Sequence, residues 1–243
     1  IMNHHNVKAR QPVRGILFDK DGTLLDFTPT WLPAYQAGAL FAAGGDEAKA
    51  RHMMVSTGLD EQTDDFAHGS LLASATTDQI AEAWIALGAD HSAAQLTSLL
   101  DGIFAEQTAI SSAPFPGLYE LIFELSEKDI VLGLGTNDGE GSAKEFLKTA
   151  NIDPFFSFVA GYDSGHGGKP APGMILAFCD AHDLEPGSVM VVGDNHCDLE
   201  MGRAADAGFV VGVLSGNGTH DELAPFADVI ISGIEEFSLL DFD

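Results

Sequence analysis

Cations are scarce in this chain. Eleven Lys and Arg face 37 Asp and Glu across 243 residues, for a formal net charge of -26. So acidic a protein repels nucleic acid and anionic membrane surfaces. A small anionic ligand is repelled as well, so chemistry on one requires local positive charge from a lysine or a divalent cation. Long apolar runs are also missing. None approaches the ~18 residues of a membrane span, and Ile1 to Gly15 lacks the apolar stretch of a secretory leader. A cytoplasmic protein without membrane or nucleic-acid partners is expected. Cysteine is limited to Cys179 and Cys197, in no disulfide or zinc spacing. Two reduced thiols follow, with Cys197 the more open to oxidation because it adjoins Asp198 in a loop. What is plentiful is apolar residues: a 45% hydrophobic content supplies a core for one domain and an insertion.

Chemistry-bearing residues sit at the ends of short apolar runs. Asp19-Lys20-Asp21-Gly22-Thr23 follows Val13 to Phe18, and Gly135-Thr136-Asn137 follows Ile130 to Leu132. Gly168-Lys169-Pro170 stands in a glycine-rich loop, and Gly193-Asp194 with Asp198 follows Val189 to Val192. Taken singly, these are an Asp-Gly turn, a helix cap, a solvated lysine and another cap. Familiar alternatives fail on the residues. Asp138 stands at the third position of a dinucleotide fingerprint starting at Gly133, and Pro170 follows Lys169 where a P-loop needs Ser or Thr. Thr23 and Leu24 occupy positions where an EF-hand loop needs an acid and a glycine.

From Leu118 onward, strand-like runs alternate with helix-like ones: Leu118 to Lys128 helix, Ile130 to Leu134 strand, Ser142 to Asn151 helix, Phe156 to Ala160 strand. The pattern continues with helix at Pro172 to His182, strand at Val189 to Val192, helix at Leu199 to Ala207, and strands at Val210 to Val213 and Val229 to Ile231. Such alternation predicts an α/β fold with a parallel sheet covered by helices on both faces. Ligands then bind beyond the carboxyl ends of the strands, where all four motifs fall. Residues 27–112 differ, with helical spacing over Trp31 to Ala43, Thr77 to Leu87 and Ser92 to Thr108 and no convincing strand between them. The division expected is a core of residues 1–26 and 113–243 and a helical insert of 27–112. Its borders lie near Pro29, Pro114 and Pro116, which break helices.

In series, the four motifs resemble the haloacid dehalogenase (HAD) superfamily, over nearly the whole chain. The insert and Phe115-Pro116-Gly117 look like the phosphoglycolate-phosphatase type, a Rossmann-like core with a helical cap. The resemblance implies that Asp19 is a nucleophile attacking phosphorus, and that Asp21 is the general acid and base whose main-chain carbonyl also binds metal. It further implies that Thr136, Asn137 and Lys169 hold the phosphate, and that Asp194 binds magnesium. Asp198 is a ligand or the acceptor for a metal-bound water, and can equally cap the helix it opens. Hard oxygen ligands favour Mg2+ over zinc. An ionised aspartate needs no base, only relief from repulsion by the phosphate, which a cation supplies.

The activity this implies is hydrolysis of a small phosphorylated metabolite, phosphoglycolate or a short sugar phosphate, under an insert that closes over the strand ends. Asp21 argues against a dehalogenase. A phosphomutase of the β-phosphoglucomutase type and a catalytically silent phosphate-binding module stay open. Lys49 and Arg51, the two basic residues of the insert, are candidates for holding a second anionic group. Lys20 is expected to point away from Asp19 and Asp21 by strand alternation. Nothing in the sequence sets the oligomeric state.

Overall fold

A computed structural model describes Ala9 and residues 11–240; the amino-terminal residues 1–8, on which the expectation of no secretory leader partly rests, lie outside them. Gly15–Phe18 forms β1, buried along its whole length. The chain then enters helices α1 (Phe27–Ala42) and α2 (Glu47–Thr57). A two-stranded antiparallel hairpin follows, β2 (Leu59–Asp60) and β3 (Asp65–Phe66), then α3 (Leu71–Ser74), α4 (Thr77–Ala86) and α5 (Ala93–Ser111). That hairpin corrects the all-helical expectation for this stretch. Two residues per strand are too few for any periodicity to register.

Local chemistry explains where these helices begin. Thr76 with Gln79, and Ser92 with Gln95, form reciprocal capping boxes that satisfy the first free N–H groups of α4 and α5. Pro29 lies inside α1 rather than at its border, in the first turn, where its missing N–H has no intrahelical partner to lose. The helices bury one another: Trp31, Tyr35, Ala39, Met53, Phe66, Ile80, Trp84, Leu96, Leu100 and Phe104 form a cluster separate from that of the sheet. Exit and return run side by side, with the Asp26 N–H donating to the Ala113 carbonyl at 2.8 Å.

The rest of the chain alternates as expected: α6 (Leu118–Ser126), β4 (Val131–Gly135), α7 (Glu140–Thr149), β5 (Phe156–Ala160), α8 (Gly173–His182) and β6 (Val189–Gly193). It ends with α9 (His196–Ala204), β7 (Phe209–Val213), the short α10 (His220–Leu223) and β8 (Val229–Ile231). Six strands make one parallel sheet in the order β5-β4-β1-β6-β7-β8. Its apolar strands alternate between two faces. Ile16, Phe18, Leu134 and Val192 pack with α6 and α7, and Leu17, Val191 and Val210 pack with α8 and α9. Each fully buried Val, Ile, Leu or Phe contributes roughly 1.5–3 kcal/mol. Among the described residues, no helix is long and apolar enough to cross a membrane.

Candidate active site

The strand order fixes where a site can form. From β1 the chain's later strands run outward in both directions, β4 and β5 to one side and β6, β7 and β8 to the other. Loops leaving β1 and its neighbours therefore diverge and open a crevice at their carboxyl ends. Asp19 and Asp21 follow β1, Thr136 and Asn137 follow β4, Lys169 lies on the loop after β5, and Asp194 and Asp198 follow β6. All seven line one cavity of about 60 Å³.

Asp19, Asp194 and Asp198 are buried and offer one carboxylate oxygen each within 4.8 Å of one another. The Lys169 ammonium donates to Asp19 and, at 2.6 Å, to Asp198. Asp198 also serves a second partner, since its other oxygen accepts from the Asn195 N–H at 2.9 Å and closes a capping box at the start of α9. Asp194 accepts from the Asn217 N–H at 2.8 Å and, among the described residues, pairs with no Lys or Arg. Burial first, then repulsion from Asp19 and Asp198, raises its pKa well above the carboxylate range, and burial likewise raises that of Asp19. Gly22 has φ +80°, and a Cβ there would stand 2.6 Å from an Asp194 oxygen, so this turn tolerates only glycine beside the cluster.

Asp21 turns to the other side. Its Oδ1 accepts from the Trp31 indole N–H at 2.5 Å, and its Oδ2 faces the Lys20 ammonium at 3.0 Å and the Thr136 hydroxyl at 3.5 Å. Lys20 thus overturns the expectation that it points away. β1 ends at Phe18, and the Leu24 and Leu25 N–H groups both donate to the Lys20 carbonyl, so the chain has left strand geometry and alternation no longer applies. Its side chain is 1% exposed and pairs with Asp138 at 2.7 Å, with the Trp31 ring 5.2 Å away. Burial would lower the Lys20 pKa, but Asp138 and Asp21 outweigh it and the net shift is upward. Asp21 is pushed up to about 6, chiefly by burial; Lys20 opposes the rise, and Asp138 and Asp19 reinforce it.

The Asn137 side chain braces the lysine loop: its Oδ1 accepts from the Lys169 N–H at 2.8 Å, and its amide donates to the Ser74 carbonyl at 3.1 Å. Thr136 keeps its hydroxyl at the cavity wall, accepting from the Asp138 N–H at 3.0 Å. Lys49 and Arg51 are not brought to this site. The Lys49 ammonium donates to the Gly88 carbonyl, and Arg51 pairs with Glu61 and lines a separate surface cavity. The helical insert instead contributes Phe27, Trp31, Tyr35, Leu72, Ile80 and Phe104 to the cavity wall. Sequence reasoning missed Lys20, Asp138, Trp31 and the Asn217 N–H.

Among the described residues, five carboxylates, Asp19, Asp21, Asp138, Asp194 and Asp198, meet two ammonium groups here, an excess of three negative charges when all are ionised. Burial makes that excess costly. Three close carboxylate oxygens with only one lysine among them suit a hard divalent cation.

Residues 13–206 match the profile of the haloacid dehalogenase-like hydrolases. The chain is 26% identical over 222 residues to N-acetylmuramic acid 6-phosphate phosphatase of Pseudomonas putida, covering 90% of this chain and 92% of the relative. To phosphoglycolate phosphatase of Escherichia coli it is 26% identical over 200 residues, covering 80% and 79%. Among solved structures, a predicted phosphoglycolate phosphatase from Haemophilus somnus superposes with TM-score 0.71 at 20% identity, covering 93% of this chain and 97% of that one. A Thermotoga maritima protein assigned as a β-phosphoglucomutase superposes with TM-score 0.64 at 22% identity, covering 92% and 96%. At such identities the structures speak to the fold alone.

Proposed function

Because the chain belongs to the haloacid dehalogenase-like hydrolases, we propose that it is a magnesium-dependent phosphatase acting on a small phosphomonoester through an aspartyl-phosphate intermediate. The relatives named for phosphatase activity support phosphoric monoester hydrolysis, of the phosphoglycolate or sugar-phosphate kind. The observation that carries the mechanism is the placement of Asp19 against Lys169, Asp194 and Asp198 at the switch point of the sheet, with Asp21 on its far side.

In this reading Asp19 attacks phosphorus, forming an acyl-phosphate bond as the bond from phosphorus to the alcohol oxygen breaks. Asp21, with its pKa near 6, gives its proton to the departing alkoxide. Asp21 then takes a proton from water, whose oxygen attacks the same phosphorus, releasing orthophosphate and freeing Asp19. Lys169 and the Thr136 hydroxyl face the phosphate oxygens, with the Asn137 side chain holding the Lys169 loop in place. Asp19, the Asp21 carbonyl, Asp194 and Asp198 are the residues that would hold Mg2+. When bound, the ion supplies the positive charge that offsets the excess at the site and the negative charge on the phosphoryl group.

Residues 27–112 act as the cap, bringing Trp31 onto Asp21 and closing the crevice. A cavity of about 60 Å³ holds only a handful of waters at roughly 10–15 Å³ each, which favours small metabolites over phosphoproteins. The experiment is a phosphate-release screen of small phosphomonoesters with magnesium and with chelator. Release in magnesium alone is expected. A mutase would instead return an isomer of a sugar phosphate, and the absence of both products across the panel would support the silent binding module.

A further inference from the structure

Once the phosphoryl group faces Asp19 and Lys169, the alcohol it is attached to must extend past Asp21 toward the helical insert. The wall there is mainly apolar, Phe27, Trp31, Tyr35, Leu72, Ile80 and Phe104, and the hydroxyls of Ser74 and Thr77 beside it are bonded to the Ser70 carbonyl and to Asp101. The Trp31 N–H donates to Asp21, and the Tyr35 hydroxyl donates to the Leu72 carbonyl at 2.8 Å. Among the described residues lining the cavity, Lys169 is the one Lys or Arg, and its ammonium bonds Asp19 and Asp198. Lys20, behind Asp21, is committed to Asp138 and Asp21. The insert's own Lys49 and Arg51 bond elsewhere.

The wall is acidic as well as short of cations. Asp138, paired with Lys20, lines it beside Asp19, Asp21, Asp194 and Asp198, and Asp101 bonds the lining Thr77 and accepts from the Tyr162 hydroxyl at 3.0 Å. A carboxylate placed here would be withdrawn from water, unpaired and beside like charge, three unfavourable terms at once. An uncharged hydroxylated chain meets none of them. Its carbons pack on the Trp31 and Tyr35 rings, and its hydroxyls can donate to an acidic wall.

We infer that the leaving alcohol of this enzyme is uncharged and that the cavity rejects a carboxylate on it. The inference rests on the phosphatase reading above and narrows its substrate class, away from phosphoglycolate and toward neutral polyol or sugar phosphates.

The test uses pairs matched in size: ethylene glycol monophosphate against phosphoglycolate, and glycerol phosphate against phosphoglycerate, each with magnesium at neutral pH. In both pairs kcat/KM should favour the uncharged alcohol by about tenfold or more, equivalent to ~1.4 kcal/mol. Equal values or a preference for the carboxylates would overturn the inference and leave the phosphatase reading standing. The same pairs are titrated calorimetrically into Asp19→Asn with magnesium, so that affinity is read without turnover. Tighter binding of the uncharged member supports the inference independently of catalysis, and tighter binding of the carboxylate overturns it. Failure of every ester both to react and to bind would overturn the phosphatase reading, and this inference with it.

Discussion

Replacing Lys20 with methionine should destabilise the protein well beyond what one lysine ordinarily contributes. The Lys20 ammonium is buried between Asp138 at 2.7 Å and Asp21 at 3.0 Å, and Met keeps most of the stem while deleting the charge. Removing one partner of a buried pair leaves uncompensated charge and costs about 3–5 kcal/mol. An exposed pair costs at most ~1 kcal/mol. At 2–4 °C per kcal/mol for a chain of this size, Lys20→Met should lower Tm by roughly 6–20 °C. Adding Asp138→Asn to Lys20→Met removes the stranded charge and should recover much of the loss, so the two substitutions are non-additive in a double-mutant cycle. Thermal and urea denaturation of the two single variants and the double variant measure this. Lys20 also holds the Asp21 pKa down, so in Lys20→Met the alkaline limb of the kcat profile, set by an acid near 6, should move to higher pH. A loss below ~1 kcal/mol, or strictly additive substitutions, would refute the argument that Lys20 is a buried clamp on the site.

Asp21→Asn should fold normally and lose about 100-fold or more in turnover, the usual contribution of a general acid; near-normal turnover would remove Asp21 from that role. Lys169→Ala strips Asp19 and Asp198 of their cation, so vanadate should bind more weakly and turnover should fall by about 100-fold. Unchanged values for both would leave Lys169 without a part in phosphate binding. The raised carboxyl pKa values make a stability prediction. Asp19 and Asp21, moved from 3.8 to about 6, bind protons more tightly in the folded chain than in the unfolded one. The stability these groups contribute without divalent cation should therefore be full below about pH 4 and fall as pH rises through about 6, with Asp194 extending the loss upward. Magnesium should restore Tm at about pH 8 and do little at about pH 4, as calorimetric scans at the two pH values would register.

The sheet and its motif loops were legible because three of the loops directly follow short apolar runs and the fourth lies downstream of Phe156 to Ala160, and parallel strands send their carboxyl ends to one edge. Lys20 was misjudged because alternation was carried past Phe18, where the turn at Gly22 had already redirected the chain. Asp138 was read for the fingerprint it breaks, although it directly follows Thr136 and Asn137 on the loop after β4. Trp31 and Tyr35 lie on a helical apolar stripe, and such spacing does not distinguish a side chain facing a neighbouring helix from one facing a cavity. Asn217 acts through its main-chain N–H on Asp194, which no side-chain pattern encodes. The β2–β3 hairpin, at two residues per strand, left no periodic trace.

The central claim, nucleophilic attack by Asp19, is met most directly by a single-turnover quench. Enzyme in excess over a hydrolysed phosphomonoester is stopped in acid and its peptides are mapped by mass spectrometry, with magnesium and with chelator. The account predicts a phosphoryl group on Asp19 that rises and decays within the turnover, appears only with magnesium, and is missing in Asp19→Asn. Orthophosphate released by wild-type enzyme with no phosphoryl group on Asp19 at any time, or continued release at a near-normal rate by Asp19→Asn, would contradict it.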